Sequence, residues 1–268
     1  METNRVRVSR KASSGSDRRP AGRRYGQANR SAQWMVDTLA PRGVIGVMTP
    51  AMNTVVQPEL EMLRPKGVTN QMQRFRLGGE RISEDLIEEA RKLMDCNPAA
   101  IAVGLTADAG PGAVTRLALR CRELADAVGV PVRNASEANH AALSTLGARR
   151  VAVVTPFTAD VDRIVQANVE EAGFEVVAIK GTEAPSLPAI CETPLGDIRN
   201  VFHDVAGSDC DAVLQIGTAL PVVALIDELE RETGRPIVAC NAAVYWQTLR
   251  TSGIADRIAG FGRLLAEH

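Results

Sequence analysis

Aromatic side chains are scarce in this chain: Phe, Trp and Tyr together make up 3% of 268 residues. A core without them has to be aliphatic, and the abundant Ala and Val point to close-packed strand–helix layers. No apolar run approaches the roughly 18 residues that span a bilayer, and no secretory apolar region follows Met1. The five cysteines, Cys96, Cys121, Cys191, Cys210 and Cys240, are odd in number and never stand in a CxxC. That pattern is expected of a reducing, cytoplasmic compartment rather than a disulfide scaffold. The three histidines, His140, His203 and His268, stand at no metal-ligand spacing to each other or to a cysteine, so no zinc site is expected. GxxxxGK[ST] and GxSxG are both missing. The GFG at 260–262 has no strand–GxGxxG–helix setting around it, which excludes a dinucleotide fingerprint.

What is present is unevenly charged. The formal charge is −1, yet residues 1–30 hold nine Lys and Arg against Glu2 and Asp17, which is +7 and leaves −8 for the rest. Residues 1–40, rich in Arg, Ser, Gly and Pro, read as a basic tail unable to bury enough apolar surface to fold. A nucleic-acid arm or a transit peptide is an alternative for that tail. The acidic remainder argues against nucleic acid as the main ligand.

From residue 41 on, strands alternate with helices. Val44–Met48 reads as a buried strand and Gln71–Leu77 as a weaker one. Ser83 reads as a helix N-cap, with apolar positions following at Leu86, Ile87, Ala90, Leu93 and Met94. Ala100–Leu105 is a strand, 112–128 a helix stopped by Gly129, and Ser136–Leu146 a helix closed by Gly147. The cycle then restarts. Strands are expected at Val151–Val154, Phe174–Ile179, Ala212–Ile216 and Ile237–Ala239. Helices are expected from Thr158 to Gly173, at Gly196–Val205, Leu220–Thr233 and Ala242–Thr251. Such alternation predicts an α/β fold with parallel sheets. The expected organisation is two similar halves, 41–147 and 148–240, with 241–268 joining the first.

Two phrases repeat. GVIGVMTP (43–50) and RRVAVVTP (149–156) each end a strand in Thr-Pro. VGLTAD (103–108) and QIGTAL (215–220) each end a later one. Ligands of open parallel sheets bind beyond the carboxyl ends of the strands, so four such ends can face one cleft. Polar side chains and helix N-terminal amides there favour a small anion, most simply a carboxylate. The bland alternative is that Thr-Pro only makes a good strand-to-helix turn.

VIGVMTPAMNT, VAVVTPFTADVDR…EEAGFEV, DAVLQIGTAL, RPIVACNAAVYWQTLR and GFGRLL, in that order, resemble the aspartate/glutamate racemase superfamily. Within it they are most similar to the maleate isomerase and arylmalonate decarboxylase branch. The resemblance covers residues 43 to 266. It implies two four-stranded parallel sheets flanked by helices with a cleft between them, chemistry without cofactor or metal, and a carboxylate or dicarboxylate ligand. It also implies a homodimer as an option. The family's two reactive cysteines fall at Leu105 and Gly217, so both thiols are replaced, and a hydroxyl-bearing tyrosine falls at Phe157. Asn53 matches a substrate-holding Asn, and Thr106 and Thr218 stand beside the vacated cysteine places. Thr49 and Thr155, from the Thr-Pro ends, complete the expected binding set.

Chemistry without those thiols needs another proton carrier. Asp108 follows Thr106 closely and suits a general base, or else caps the helix after Pro111. Cys240 ends a strand on the expected rim and is either a displaced thiol or a small buried hydrophobe. His140 is a third candidate. Two functions are therefore weighed: a cofactor-independent isomerase or lyase for a small carboxylic acid, or a silent carboxylate-binding paralogue. Tyr245 and Trp246, adjacent on the last long helix, are expected to split between core and surface.

Overall fold

The computed structural model describes residues 37–77, 82–106 and 112–268, with the side chains of 82–85 left aside. The basic tail up to residue 36, the Ser83 cap and Asp108 lie outside the described residues.

Valine- and isoleucine-rich runs form the strands, because branched side chains fill both faces of a sheet covered by helices on either side. The first half contains β1 (Gly43–Pro50), α1 (Val56–Met62), β2 (Val68–Phe75), α2 (Ile82–Leu93), β3 (Ala100–Val103), α3 (Ala113–Val128) and β4 (Val132–Asn134). Next comes α4 (Ala135–Thr145). The second half contains β5 (Arg150–Thr155), α5 (Ala159–Glu171), β6 (Glu175–Gly181), α6 (Leu187–Ile190), α7 (Leu195–Ala206), β7 (Ala212–Gln215), α8 (Ile226–Thr233) and β8 (Ile237–Ala239). The chain closes with α9 (Cys240–Thr251) and α10 (Arg263–Glu267).

The two sheets have one topology, β2-β1-β3-β4 and β6-β5-β7-β8, with every pairing parallel. In each, chain order reverses between the first and third strands. That is the topological switch point, where a crevice opens beyond the strand ends. The Thr-Pro ends of β1 and β5 and the loops after β3 and β7 therefore occupy the two crevices of the molecule.

Among these elements, α1, β4, α6 and the closing α10 were not foreseen from the sequence. α1 is a seven-residue helix carrying Pro58 in its first turn, too short to show a 3.6-residue period. β4 is three residues long, and α6 is a single turn in the proline-rich connection. The expected helix from Leu220 begins only at Ile226, after a turn and the 3₁₀ segment Val223–Leu225.

The core is aliphatic and runs without a break from the inner face of the first sheet into the second. α9 explains the continuity: it packs on α4, α1, β3 and β4 as well as on β8. A helix covered on so many sides has little surface to give to solvent. Tyr245 and Trp246 are accordingly both buried, against the expected split, and the Tyr245 hydroxyl donates to Asn70 Oδ1 at 2.8 Å.

Candidate functional site

Both crevices border a cleft of about 400 Å³. Six of the expected binding residues line it: Asn53, Leu105, Thr106, Phe157, Gly217 and Thr218. They come from the loops after β1, β3, β5 and β7, one each from β1 and β5 and two each from β3 and β7, so every strand end that the repeated phrases had marked contributes.

Asn53 holds the first loop in place. Its Oδ1 accepts from the backbone N–H of Val55 (2.9 Å) and Val56 (3.0 Å), so the side chain organises the start of α1. Arg74 donates to the Asn53 carbonyl at 2.7 Å and to the Ala51 carbonyl at 3.2 Å, fixing the same loop from β2. Asn53 Nδ2 donates to Thr218 Oγ1 at 3.3 Å, and that hydroxyl donates to the Gly104 carbonyl at 3.1 Å. The floor of the cleft is thus a polar stitch from β1 to β7 to β3. The Asn53 amide keeps a second N–H that can receive a carboxylate with little reorganisation, whereas the Thr218 hydroxyl does so only by releasing the Gly104 carbonyl.

Gly217 is a glycine for steric reasons. Its φ is +113°, and a Cβ there would stand 2.6 Å and 2.7 Å from Pro156 Cδ and Cγ. The Pro that ends the β5 phrase therefore occupies the space a side chain at 217 would need.

The remaining walls are apolar or cationic. Pro50, Met52, Leu77, Leu117, Val161 and Leu187 contribute hydrocarbon, while Arg116 and Arg120 line the α3 side. No Asp or Glu is among the described lining residues. The two arginines were overlooked in the sequence, although their i,i+4 spacing on α3 puts them on one face. Cys191, at the end of α6, also lines the cleft.

Thr49 and Thr155 are corrected: both are fully buried and neither lines the cleft. Thr155 serves its own turn. Its hydroxyl bonds to the Asp162 carboxylate and accepts the Phe157 N–H at 3.0 Å, tying β5 to the start of α5. Thr49 Oγ1 has no hydrogen-bond partner among the described residues.

Cys240 also lies away from the cleft lining and is fully buried. Its thiol donates to Gln215 Oε1 at 3.4 Å. Burial, followed by the neighbouring Glu59 carboxyl, pushes the thiol pKa well above its ordinary range. A thiol so placed does not supply a thiolate, so the geometry favours the small-hydrophobe reading of Cys240.

The sequence had given no sign of Glu59. It lies on α1, 4% exposed, and accepts from the backbone N–H of Val222 (2.7 Å) and Val223 (2.8 Å) and from Asn241 Nδ2 (2.6 Å). Burial raises its carboxyl pKa to about 7, against the opposing effect of those three donors. One first-half carboxyl therefore anchors the loop after β7 and the first turn of α9. Asn241 also donates to the Thr218 carbonyl at 2.9 Å, which links this anchor to the cleft floor.

Comparison with known proteins gives a consistent result. Residues 48–265 match the family model described as arylmalonate decarboxylase. The chain is 29% identical over 197 residues to the arylmalonate decarboxylase of Bordetella bronchiseptica, covering 71% of this chain and 80% of that protein. It is 26% identical over 239 residues to the maleate isomerase of Nocardia farcinica, covering 83% and 95%. Among solved structures, the maleate isomerase Iso of Pseudomonas putida S16 superposes with a TM-score of 0.74 at 20% identity, over 84% of this chain and 98% of that one. A crystal structure of arylmalonate decarboxylase gives 0.71 at 23%, over 84% and 100%.

Proposed function

Because the chain belongs to the arylmalonate decarboxylase family, we propose that it is a cofactor-independent lyase or isomerase whose substrate is a carboxylic acid with an apolar body, held in the cleft between the two sheets. The observation that carries this reading is the composition of the cleft wall. Hydrocarbon surrounds a small polar floor, two arginines stand on one side, and no acidic group is among the described lining residues. A mostly apolar pocket with a few fixed polar groups is what a small-molecule site requires, and the sign of its charge selects an anion.

In this reading Asn53, Thr106 and Thr218 hold a carboxylate, with the backbone around Gly217. Leu105 and Phe157 present hydrocarbon where the family has a thiol and a phenol, and so they widen the apolar share of the pocket. An aryl-substituted acid fits that wall better than the four-carbon maleate of the isomerase relatives. Breaking a bond at the carbon next to the carboxylate leaves an electron pair there. The fixed donors of the floor stabilise the resulting enediolate. A cytoplasmic location and a homodimer belong to the same reading. Among the described residues no helix is long and apolar enough to cross a membrane.

A thermal-shift screen of phenylmalonate, phenylacetate and maleate, followed by NMR of each hit in deuterated water, tests the proposal. Stabilisation by an aryl acid together with product or C–H exchange supports it. Absence of both binding and exchange across the set overturns it. The second reading, a silent carboxylate-binding paralogue, is favoured by Gly217, where the structure leaves no room for a side chain. Its signature in the same experiment is a thermal shift without product or exchange.

A further inference from the structure

Beside the cleft lies a second, smaller space of about 40 Å³, walled by Thr106, Ser136, Asn139, His140, Phe157 and Asn168 among others. Thr106 and Phe157 line both spaces, so these two side chains stand between the chamber and the larger cleft. Asn139 is 2% exposed, and its side-chain oxygen has no hydrogen-bond partner among the described residues. A buried acceptor left unpaired is costly, and a polar chamber larger than roughly 10–15 Å³ relieves that cost by taking water. The chamber exceeds that size and several of its walls are polar.

Among the described residues of the chamber wall, His140 is the one titratable group. Its ring packs against Phe174 with centroids 5.8 Å apart and a tilt of 37°. Burial, opposed by Glu137, holds the imidazole pKa below its ordinary value. The ring is therefore neutral near pH 7 and able to accept a proton.

We propose that the chamber is a water-filled proton relay, in which His140, acting through water held by Asn139, exchanges a proton with the carbon next to the carboxylate of the acid bound beyond Thr106 and Phe157. This rests on the cleft being the acid site. For an acid bearing hydrogen on that carbon, the C–H bond breaks and its electron pair stays as an enediolate. The chamber water takes the proton while passing one of its own to the imidazole, which becomes imidazolium. The return step runs the same transfers backwards and re-forms the C–H bond. For a malonate, the C–C bond to the departing CO2 breaks and leaves the same pair. Imidazolium charged from solvent then supplies the proton through the same water. His140 is thus a positioning residue for the proton and does not touch the substrate.

The test uses the full chain, with phenylmalonate turnover and phenylacetate C–H exchange in deuterated water as readouts. His140→Gln is expected to lower both rates by about 100-fold, the ordinary scale of general acid–base catalysis, while the KM and the phenylmalonate thermal shift stay within about twofold of wild type. Asn139→Leu, which replaces the water-holding amide with hydrocarbon, is expected to do the same and guards against a folding defect in the first variant. A crystal structure is expected to show ordered water on Asn139 Oδ1. Wild-type rates in both variants, or a dry chamber, overturn the relay and leave the acid site standing. A wild-type protein that neither binds nor converts the probes overturns the acid site and the relay with it.

Discussion

A side chain introduced at position 217 meets two obstacles at once. The backbone there is at a φ of +113°, which favours glycine, and Pro156 fills the space a Cβ would take. Gly217→Ala and Gly217→Cys are therefore expected to lose stability together, by about 1–3 kcal/mol, read as a lower urea midpoint for both. A Gly217→Cys protein as stable as wild type would show that Pro156 yields easily and that the strand-end loop is softer than described. The natural thiols should also divide by position. Cys191 lies on the cleft wall, whereas Cys240 is fully buried beside Glu59 and bonded to Gln215. Iodoacetamide is expected to modify Cys191 in the folded protein and to reach Cys240 only after unfolding, as peptide mapping would reveal. Sequence order explains why Cys240 had looked eligible. It follows a strand on the side where the cleft was expected, and sequence order carries no information about which way the thiol points. Thr49 and Thr155 misled in the same way: the Thr-Pro phrase correctly marks the strand ends, yet the Thr155 hydroxyl is spent within its own turn.

At the scale of elements, the weight falls on α1, which no periodic pattern announced. Its Glu59 accepts two backbone N–H groups from the loop after β7 and the Asn241 amide from α9, so a short helix of one half fixes the cleft-forming loop of the other. The carboxyl carries a pH signature. In the unfolded chain it ionises near its ordinary value of 4.5, and in the fold burial moves that to about 7. Between those values the folded state holds a proton that the unfolded chain has lost. Stability contributed by this group is therefore greatest in acid, falls as pH rises through the interval, and levels off above it. The difference is about 3 kcal/mol, from roughly 1.4 kcal/mol for each tenfold change in proton affinity. Urea midpoints at pH 5 and pH 7.5 are expected to lie further apart in wild type than in Glu59→Gln, which has no proton to lose. Equal spacing in the two proteins would remove Glu59 as a source of the dependence. Only chain folding brings Glu59 to Val222, Val223 and Asn241, more than 160 positions away in sequence. Glu59 therefore had no local sign in the sequence. Asn53 did, because its side chain organises the backbone two and three residues on.

For the whole molecule, the repeat in the sequence was the most informative feature. Two copies of a Thr-Pro strand end, each followed by a second marked strand, translate into two sheets of identical order. A parallel sheet admits a crevice only where its strand order reverses, so finding the repeat was enough to place the loops. The cationic side of the cleft was not legible in the same way, because Arg116 and Arg120 belong to a helix whose facing depends on how α3 packs. Their joint contribution can be measured. A double variant, Arg116→Gln with Arg120→Gln, keeps a polar, hydrogen-bonding side chain at each position on α3, though a shorter one, and removes both charges from the wall. If the cleft selects an anion by its field, phenylmalonate affinity falls by about tenfold, or about 1.4 kcal/mol, in isothermal titration. The loss should fade with salt. Raising the ionic strength from about 0.01 M to about 0.15 M shortens the screening length from about 30 Å to about 8 Å, so it weakens binding to wild type and leaves the double variant nearly unchanged. Parallel salt slopes in the two proteins would mean that the polar floor of Asn53, Thr106 and Thr218 recognises the acid by itself, with the arginines serving only the outer surface of α3.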